Sequence, residues 1–168
     1  MDRLALTALV VAVFGLCLWG MWRGWRRQSR AQSVRFPPFP PVPAEPGPVE
    51  LELAGVYASS TVAGHWQERI VTRGAGVRSA ATLRCHRDGI AVARIGAPSF
   101  WIPRESLVDV RTAKGIAGKV LGTAGLLVLT WRPGGPDPGE VVVDTGFRGD
   151  DVDEYPQWID KLKGGARA

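Results

Sequence analysis

Histidine and cysteine, the side chains best suited to metal binding and nucleophilic catalysis, are scarce in this sequence. The 168-residue chain has two of each, namely Cys17, His65, Cys85 and His86. Cys85 and His86 are adjacent, so in a β-strand their side chains would point to opposite faces of the sheet. A zinc site needs three or four ligands that converge on the ion. The sequence therefore predicts no metal site and no other cofactor.

Two other segments resemble ligand-binding motifs but depart from them at decisive positions. The glycine-rich segment KGIAGKVLGTAG, residues 114–125, has Val120 where a phosphate-binding P-loop has Ser or Thr. The acidic run DDVDE, residues 150–154, lacks the alternating ligands and the glycine of a calcium-binding EF-hand loop. The G-x-S-x-G motif of many hydrolases does not occur. We therefore predict a protein that is not an enzyme and has no evident small-molecule substrate.

The positive net charge of +5 is concentrated at the N-terminus. Residues 1–35 contain six basic residues and one acidic residue, whereas residues 36–168 contain 15 of each. A domain that binds nucleic acid is expected to carry the basic excess itself. The sequence therefore predicts no nucleic-acid partner.

An apolar segment from Leu4 to Trp22 has 19 residues and no charge. As an α-helix it would be about 28 Å long, close to the roughly 30 Å of a bilayer's hydrocarbon core. Side chains that favour the membrane interface cluster at its end: Trp19, Trp22, Trp25, Arg23, Arg26 and Arg27. We predict a transmembrane anchor over residues 1–25 that contacts membrane lipid. The alternative, a cleaved signal peptide, requires a shorter apolar core and a small-residue cleavage site.

Arginine is more frequent after this segment than before it. Five arginines follow within about 15 residues, whereas only Arg3 precedes it. By the positive-inside rule, the N-terminus lies outside and the C-terminal domain is cytoplasmic at the plasma membrane. In this interpretation the arginines determine topology. A docking strip for anionic lipid head groups is the alternative.

Residues 26–48 are predicted to be a linker, first basic and then proline-rich. Seven of the 13 residues from Phe36 to Pro48 are proline, which favours an extended polyproline II conformation. At about 3.1 Å per residue this segment would hold the domain up to roughly 40 Å away. Its P-x-x-P patterns could alternatively be recognised by an aromatic groove.

Residues 49–163 have short apolar runs separated by glycine- and proline-containing turns, which is a β pattern. The predicted strands are 50–59, 65–72, 78–85, 90–95, 100–103, 107–112, 126–131 and 141–144. The last two form the most secure hairpin. Residues 164–168 are predicted to be a disordered tail.

The folded segment closes with an amphipathic helix. Val152, Tyr155, Ile159 and Leu162 recur at helical spacing, and Pro156 favours a helix start near Tyr155. Seven or eight antiparallel strands followed by one such helix predict a mainly β fold. This fold is a small barrel or bent sandwich of the pleckstrin-homology (PH) type.

Four motifs make the sequence similar to a known family: GHWQERI (64–70), WIPRESL (101–107), GIAGKV (115–120) and DTGFRGDD (144–151). They resemble a family of actinobacterial single-pass membrane proteins with a cytoplasmic PH-like domain. Members are often labelled transporter or export proteins and tend to be encoded near pyrimidine-biosynthesis genes. The resemblance implies a fold and a location but no catalytic residues.

Three sets of residues are candidates for contacts or for local structure. The first is a basic, mobile loop facing an acidic partner or lipid, with a solvated turn as the alternative: Arg111, Lys114 and Lys119. The second is a contact patch, provided that it is exposed: Phe100 and Trp101. The third would organise a corner between the last strand and the helix: Phe147, Arg148 and Asp151.

These observations favour a membrane-tethered, non-catalytic interaction or scaffold module that recruits a partner protein to the plasma membrane. The alternative is an accessory subunit of a membrane transport or envelope-export complex, with small residues of the span packing against partner helices. A lipid-binding domain is a third interpretation, which the zero net charge of residues 36–168 weakens. The identity of the partner, the pathway and the oligomeric state are left open.

Overall fold

The computed structural model describes residues 2–35, 38–70, 74–116, 119–120, 125–135 and 141–164, and most side chains within them. The chain forms two α-helices and ten strands in these ranges. In order they are α1 (Asp2–Arg35), β1 (Leu51–Val62), β2 (His65–Arg69), β3 (Ser79–His86), β4 (Gly89–Arg94), β5 (Phe100–Pro103), β6 (Leu107–Ala113), β7 (Gly115–Ile116), β8 (Lys119–Val120), β9 (Leu126–Trp131), β10 (Val143–Gly149) and α2 (Tyr155–Gly164).

Helix α1 contains one stretch that is long and apolar enough to cross a membrane. It runs from Ala5 to Gly24, has a mean hydropathy of 2.1, and none of it is buried. The helix continues without a break to Arg35. The basic part of the predicted linker is therefore helical.

Eight of the described strands form one antiparallel sheet, as the sequence predicts. Its order is β5-β4-β3-β1-β10-β9-β6, with β2 paired to β1. Strand β1 is the shared element, because its first half pairs with β3 and its second half with β10. A β-bulge between Tyr57 and Ser59 separates the two halves on the β10 side. Bulges bend a strand and increase its twist, which lets one strand serve both halves of a curved sheet.

The main hydrophobic core lies between the inner face of this sheet and α2. Trp131, Phe147 and Trp158 are fully buried in it. Helix α2 begins at Tyr155, with Pro156 in its first turn where a missing N–H costs nothing. Its start is fixed because the hydroxyl of Tyr155 accepts a hydrogen bond of 2.9 Å from the Gly149 backbone N–H. The last residue of α2, Gly164, was predicted to be in the tail, and residues 165–168 lie outside the described ranges.

Strand β10 differs from the prediction, which ended it at Asp144 and placed a corner at residues 147–151. The strand continues to Gly149 because its glycines permit close approach of β1. Gly55 pairs with Gly149, and a Cβ atom at Gly55 would collide with the Arg148 carbonyl oxygen. These glycines are therefore required by strand packing, although in the sequence they look like turn residues.

The predicted mobile loop of Arg111, Lys114 and Lys119 includes backbone that is paired. Arg111 lies in β6, residues 115–116 form β7, which pairs antiparallel with β8 at residues 119–120, and β7 contacts β1. The outer face of the sheet has its own small apolar cluster, in which Leu126 and Val128 are buried and Ala58 and Ala113 pack against them.

The proline-rich segment is bound to the domain, whereas the sequence predicted a free spacer. The Phe39 ring packs against Phe100 and Trp131, with centroid distances of 4.9 and 5.0 Å. The Pro40 carbonyl accepts a 2.8 Å hydrogen bond from the Trp101 N–H. The docked residues begin four positions after α1 ends. Proline density predicted the extended backbone but did not reveal this aromatic contact.

We expect F39A to destabilise the domain by about 2 kcal/mol, because it removes a partly buried ring from the aromatic cluster. The measurement is the urea midpoint for unfolding of the detergent-solubilised full chain, monitored by tryptophan fluorescence. V49A is the control, because Val49 is 48% exposed and lies outside the core. Equal unfolding midpoints for the two variants would show that the docking of Phe39 contributes nothing.

Candidate functional site

A chain of hydrogen bonds crosses the core from β9 to the loop after β2. The Trp131 indole N–H donates to Thr145 Oγ1 at 2.9 Å, and Thr145 Oγ1 lies 2.9 Å from Ser60 Oγ. Ser60 Oγ lies 2.8 Å from the hydroxyl of Tyr57, which donates to the Ala75 carbonyl oxygen. That carbonyl can only accept, so the direction of every hydroxyl is set: Thr145 donates to Ser60, and Ser60 donates to Tyr57.

Arg94 is buried at the same end of the sheet as Tyr57. Its Cζ atom lies 4.0 Å from the centre of the Tyr57 ring, a cation–π contact. Its guanidinium donates hydrogen bonds to Ser79 Oγ at 3.0 Å and to the carbonyls of Gly74 and Val77 at 3.1 and 2.6 Å. Burial lowers the pKa of Arg94. The side chain therefore connects β4 to the turn before β3.

Phe100 and Trp101 are buried, so the predicted exposed contact patch is wrong. Only 3% of Phe100 and 6% of Trp101 is accessible. Phe39 covers Phe100, and the Trp101 ring lies 5.6 Å from the ring of His86 and directly over the Gly89 backbone. The chain supplies the cover itself, because residues 39 and 40 occupy this edge of the sheet.

Arg111 is paired within the chain and is not a free cation. Its Nη2 atom lies 2.8 Å from Asp144 Oδ2, and the Asp144 carboxylate, which is 7% exposed, also accepts a 2.6 Å hydrogen bond from Thr130. The Nη1 atom of Arg111 has no acceptor among the described residues. Lys114 is exposed, and the side chain of Lys119 lies outside the described part of the chain.

The three residues of the predicted corner do not form one contact cluster. Phe147 is fully buried in the main core, whereas Arg148 and Asp151 are exposed. Asp151 Oδ1 accepts a 2.9 Å hydrogen bond from the Asp153 N–H. This bond shapes the turn that leads into α2.

The interfacial residues of α1 form two cation–π pairs at (i, i+4) spacing. Arg23 lies over the Trp19 ring at 5.5 Å, and Arg26 over the Trp22 ring at 4.0 Å. Pairing a guanidinium with an indole suits the head-group region, where both side chains have one wet and one apolar side. The side chains of Trp25 and Arg27 are outside the described part of the chain.

A groove of about 610 Å³ runs between β6 and α2. Its lining includes Leu107, Val108, Asp109, Val110, Asp160, Leu162, Lys163 and Gly164. Arg104 fixes the adjacent helix end, because its Nη2 atom donates to the carbonyls of Lys161 and Leu162 at 2.6 and 3.1 Å. A side chain that satisfies the last carbonyls of a helix stabilises its C-terminus.

The surroundings of the adjacent residues Cys85 and His86 indicate a structural role. Both are buried, and His86 Nδ1 lies 3.0 Å from the Gly47 carbonyl and 3.2 Å from that of Pro48. Burial raises the pKa of the Cys85 thiol, which disfavours the reactive thiolate. No group of three or more His, Cys, Asp or Glu residues suited to a metal ion occurs within the described ranges.

Comparison with known families supports the architecture just described. The sequence profile of the family described as "Bacterial PH domain-like" matches residues 36–163. The chain belongs to this family. The match begins before Phe39, so it includes the docked proline-rich segment in the bacterial PH-like domain. A search of curated proteins gives no match.

Sequence reasoning missed the residues that organise this bacterial PH-like domain most strongly, namely Arg94, Arg104 and Asp144. Each is a single charged residue within or beside an apolar strand, and charged residues at such positions are ordinarily exposed. The sequence gave one signal, because Arg94 directly follows the uninterrupted apolar run of residues 90–93. A spacing pattern cannot show that three carbonyl and hydroxyl groups surround its guanidinium.

Stability should fall as pH rises above 10, because burial raises the pKa of Tyr57 to about 12. Between pH 10 and 12 the unfolded chain loses the phenolic proton while the folded chain retains it, so rising pH favours unfolding. The loss should reach roughly 2–3 kcal/mol at pH 12. The chain has only two tyrosines, and burial also raises the pKa of Tyr155.

Y57F should therefore flatten the pH dependence of the urea midpoint, and Y155F should flatten it less. Y57F is expected to fold, because the Ala75 carbonyl keeps a hydrogen bond from the Ser60 N–H. An unchanged pH slope in Y57F would show that Tyr57 ionises equally in both states.

Proposed function

We propose that this protein is a single-pass membrane protein whose PH-like domain recruits a partner protein to the cytoplasmic face of the plasma membrane, without catalysis of its own. The observation that carries the proposal is that one chain contains both an apolar helix and a PH-like domain. A helix that is long and apolar enough to span a bilayer precedes a PH-like domain, with four positions from the helix end to the first docked residue. The resemblance to single-pass actinobacterial proteins supports the same arrangement.

The electrostatics of the domain favour a protein partner over an anionic lipid surface. Residues 36–168 have no net charge, and basic side chains of the described domain form ion pairs: Arg84 with Glu52, Arg111 with Asp144, Lys161 with Glu50 and Lys163 with Asp109. Recognition of a lipid surface needs uncompensated positive charge. The β6–α2 groove, which is lined by apolar side chains and by charged side chains of both signs, suits a protein surface.

The proposed orientation predicts that the domain is inaccessible from outside the cell. In a C17A background, I95C should react with a membrane-impermeant maleimide only after permeabilisation, because Ile95 is 76% exposed and the remaining Cys85 is buried. D2C is the matched control and should react in intact spheroplasts. Labelling of I95C in intact spheroplasts would reverse the proposed topology.

Recruitment predicts that capture of partners depends on the domain. In-cell crosslinking and affinity purification of the full chain should enrich soluble cytoplasmic proteins at least about fivefold over a chain ending at residue 48. Replacing residues 4–22 with an unrelated span should leave this enrichment unchanged, because a plain anchor makes no specific contacts in the membrane.

Loss of capture after this replacement would favour the second candidate, an accessory subunit of a membrane complex. One observation supports that candidate: Gly15 and Gly20 are open to close approach, because a Cβ atom added at either residue would have no other part of the described chain within 4 Å. Small residues let helix backbones pack closely in a bilayer. Multi-span membrane proteins would then be captured by the span alone.

A further inference from the structure

Strand β6 is an edge strand of the described sheet, and helix α2 packs against part of it. It is the last strand in the order and pairs with β9 on one side, and no described strand lies on its other side. The opposite terminal strand, β5, is partly covered, because the Trp101 N–H donates to the Pro40 carbonyl. An unpaired edge offers N–H and C=O groups to any strand that can lie beside it. The β6–α2 groove keeps part of this edge open.

The charges on this edge are self-complementary: two copies of β6 placed antiparallel would bring opposite charges face to face. Asp109 and Arg111 flank Val110, and both charged residues lie on the outer face, because the side chain of Val110 between them is buried in the main core. A strand that pairs antiparallel across Val110 must place a basic residue opposite Asp109 and an acidic residue opposite Arg111. A second β6 centred on Val110 meets both requirements, and oppositely charged cross-strand pairs stabilise a sheet.

The two charged side chains differ in their present partners, because Asp109 forms a solvated ion pair and Arg111 holds the buried Asp144 carboxylate. Asp109 is 43% exposed, and its 3.3 Å pair with Lys163 involves two solvated groups, which exchange partners at little cost. Arg111 is 42% exposed. Its Nη2 atom stays on Asp144, and its Nη1 atom, which is buried and has no acceptor among the described residues, is the donor left for a second carboxylate. Val108 adds an apolar side chain, 46% exposed, to the same edge.

We propose that β6 pairs with β6 of a second copy of this chain, in a two-fold antiparallel pairing centred on Val110. The surface thereby joins two PH-like domains into one continuous sheet. Anchoring in a common membrane raises the local concentration of the copies, so a short edge contact is sufficient. The pairing rests on the membrane anchoring of the proposed function, but it does not depend on which protein, if any, the domain recruits.

The test is disulfide crosslinking between differently tagged full-length chains co-expressed in membranes, all in a C17A background. One chain has V108C and the other T112C. In the proposed register residue 108, which lies at the bulge of β6, faces residue 112 of the other copy, and the pair is within disulfide reach. Two copies of residue 108 lie about 13 Å apart, too far for a disulfide. Oxidation should therefore crosslink the mixture of unlike chains and leave each chain uncrosslinked when expressed alone.

Charge variants provide the second readout. Adding D109R to both chains places like charges opposite each other, and crosslinking should fall about tenfold. K163A is the matched control: it removes the partner of Asp109 within the chain but leaves the edge intact, so crosslinking should persist. Tryptophan fluorescence and circular dichroism of the purified chains check that each variant folds.

Four outcomes would overturn the proposal. The first is crosslinking of like chains as readily as unlike chains, which indicates random collision. The second is the absence of crosslinks in folded, membrane-inserted protein. The third is equal crosslinking in D109R and K163A. The fourth is a V108C or T112C crosslink to a different protein in place of the second copy, which would assign the edge to a foreign strand.

Discussion

Burial of Tyr57 and Trp131 imposes the main constraint on this domain. Both rings are fully inaccessible, so their polar atoms must find partners inside the protein. Thr145 and Ser60 meet this requirement, and the carbonyl of Ala75 closes the hydrogen-bond chain. The chain needs β9, β10 and β1 in one register, because each supplies a hydroxyl or an indole. A shift of one residue in any of these strands would turn its polar group to the outer face and leave a buried donor unpaired.

The aromatic rings attached to this hydrogen-bond chain organise the surrounding structure. Phe100 stacks on Trp131 and makes an edge contact with Tyr57, and Phe39 covers the group. The proline-rich segment, which we call the tether, is thus held by the same aromatic rings whose polar atoms form the hydrogen-bond chain. Arg94 lies against the other side of Tyr57 and fixes the turn before β3. A perturbation at Tyr57 is therefore expected to reach both the tether and this turn.

The sequence predicts the local elements well and the long-range contacts poorly. Alternating apolar residues located the strands of the main sheet to within a few residues, and the 3, 4, 3 spacing from Val152 to Leu162 located α2. Glycine was ambiguous, because a turn and a close strand contact both favour it, and this ambiguity shortened β10 in the prediction. Proline density concealed the docking of Phe39. The cover over Trp101 depends on Pro40, which is 61 positions away, and no local pattern records such a contact.

The short connection between α1 and Phe39 limits how far the domain can lie from the end of the apolar segment. Helix α1 extends 11 residues beyond Gly24, or about 16 Å, and the step from Arg35 to Phe39 adds at most about 14 Å. In a spanning chain the docked ring would stay within roughly 30 Å of the end of the apolar segment. In a chain anchored in this way, a partner that contacts the edge of the domain next to Phe39 would have to fit within that distance of the bilayer.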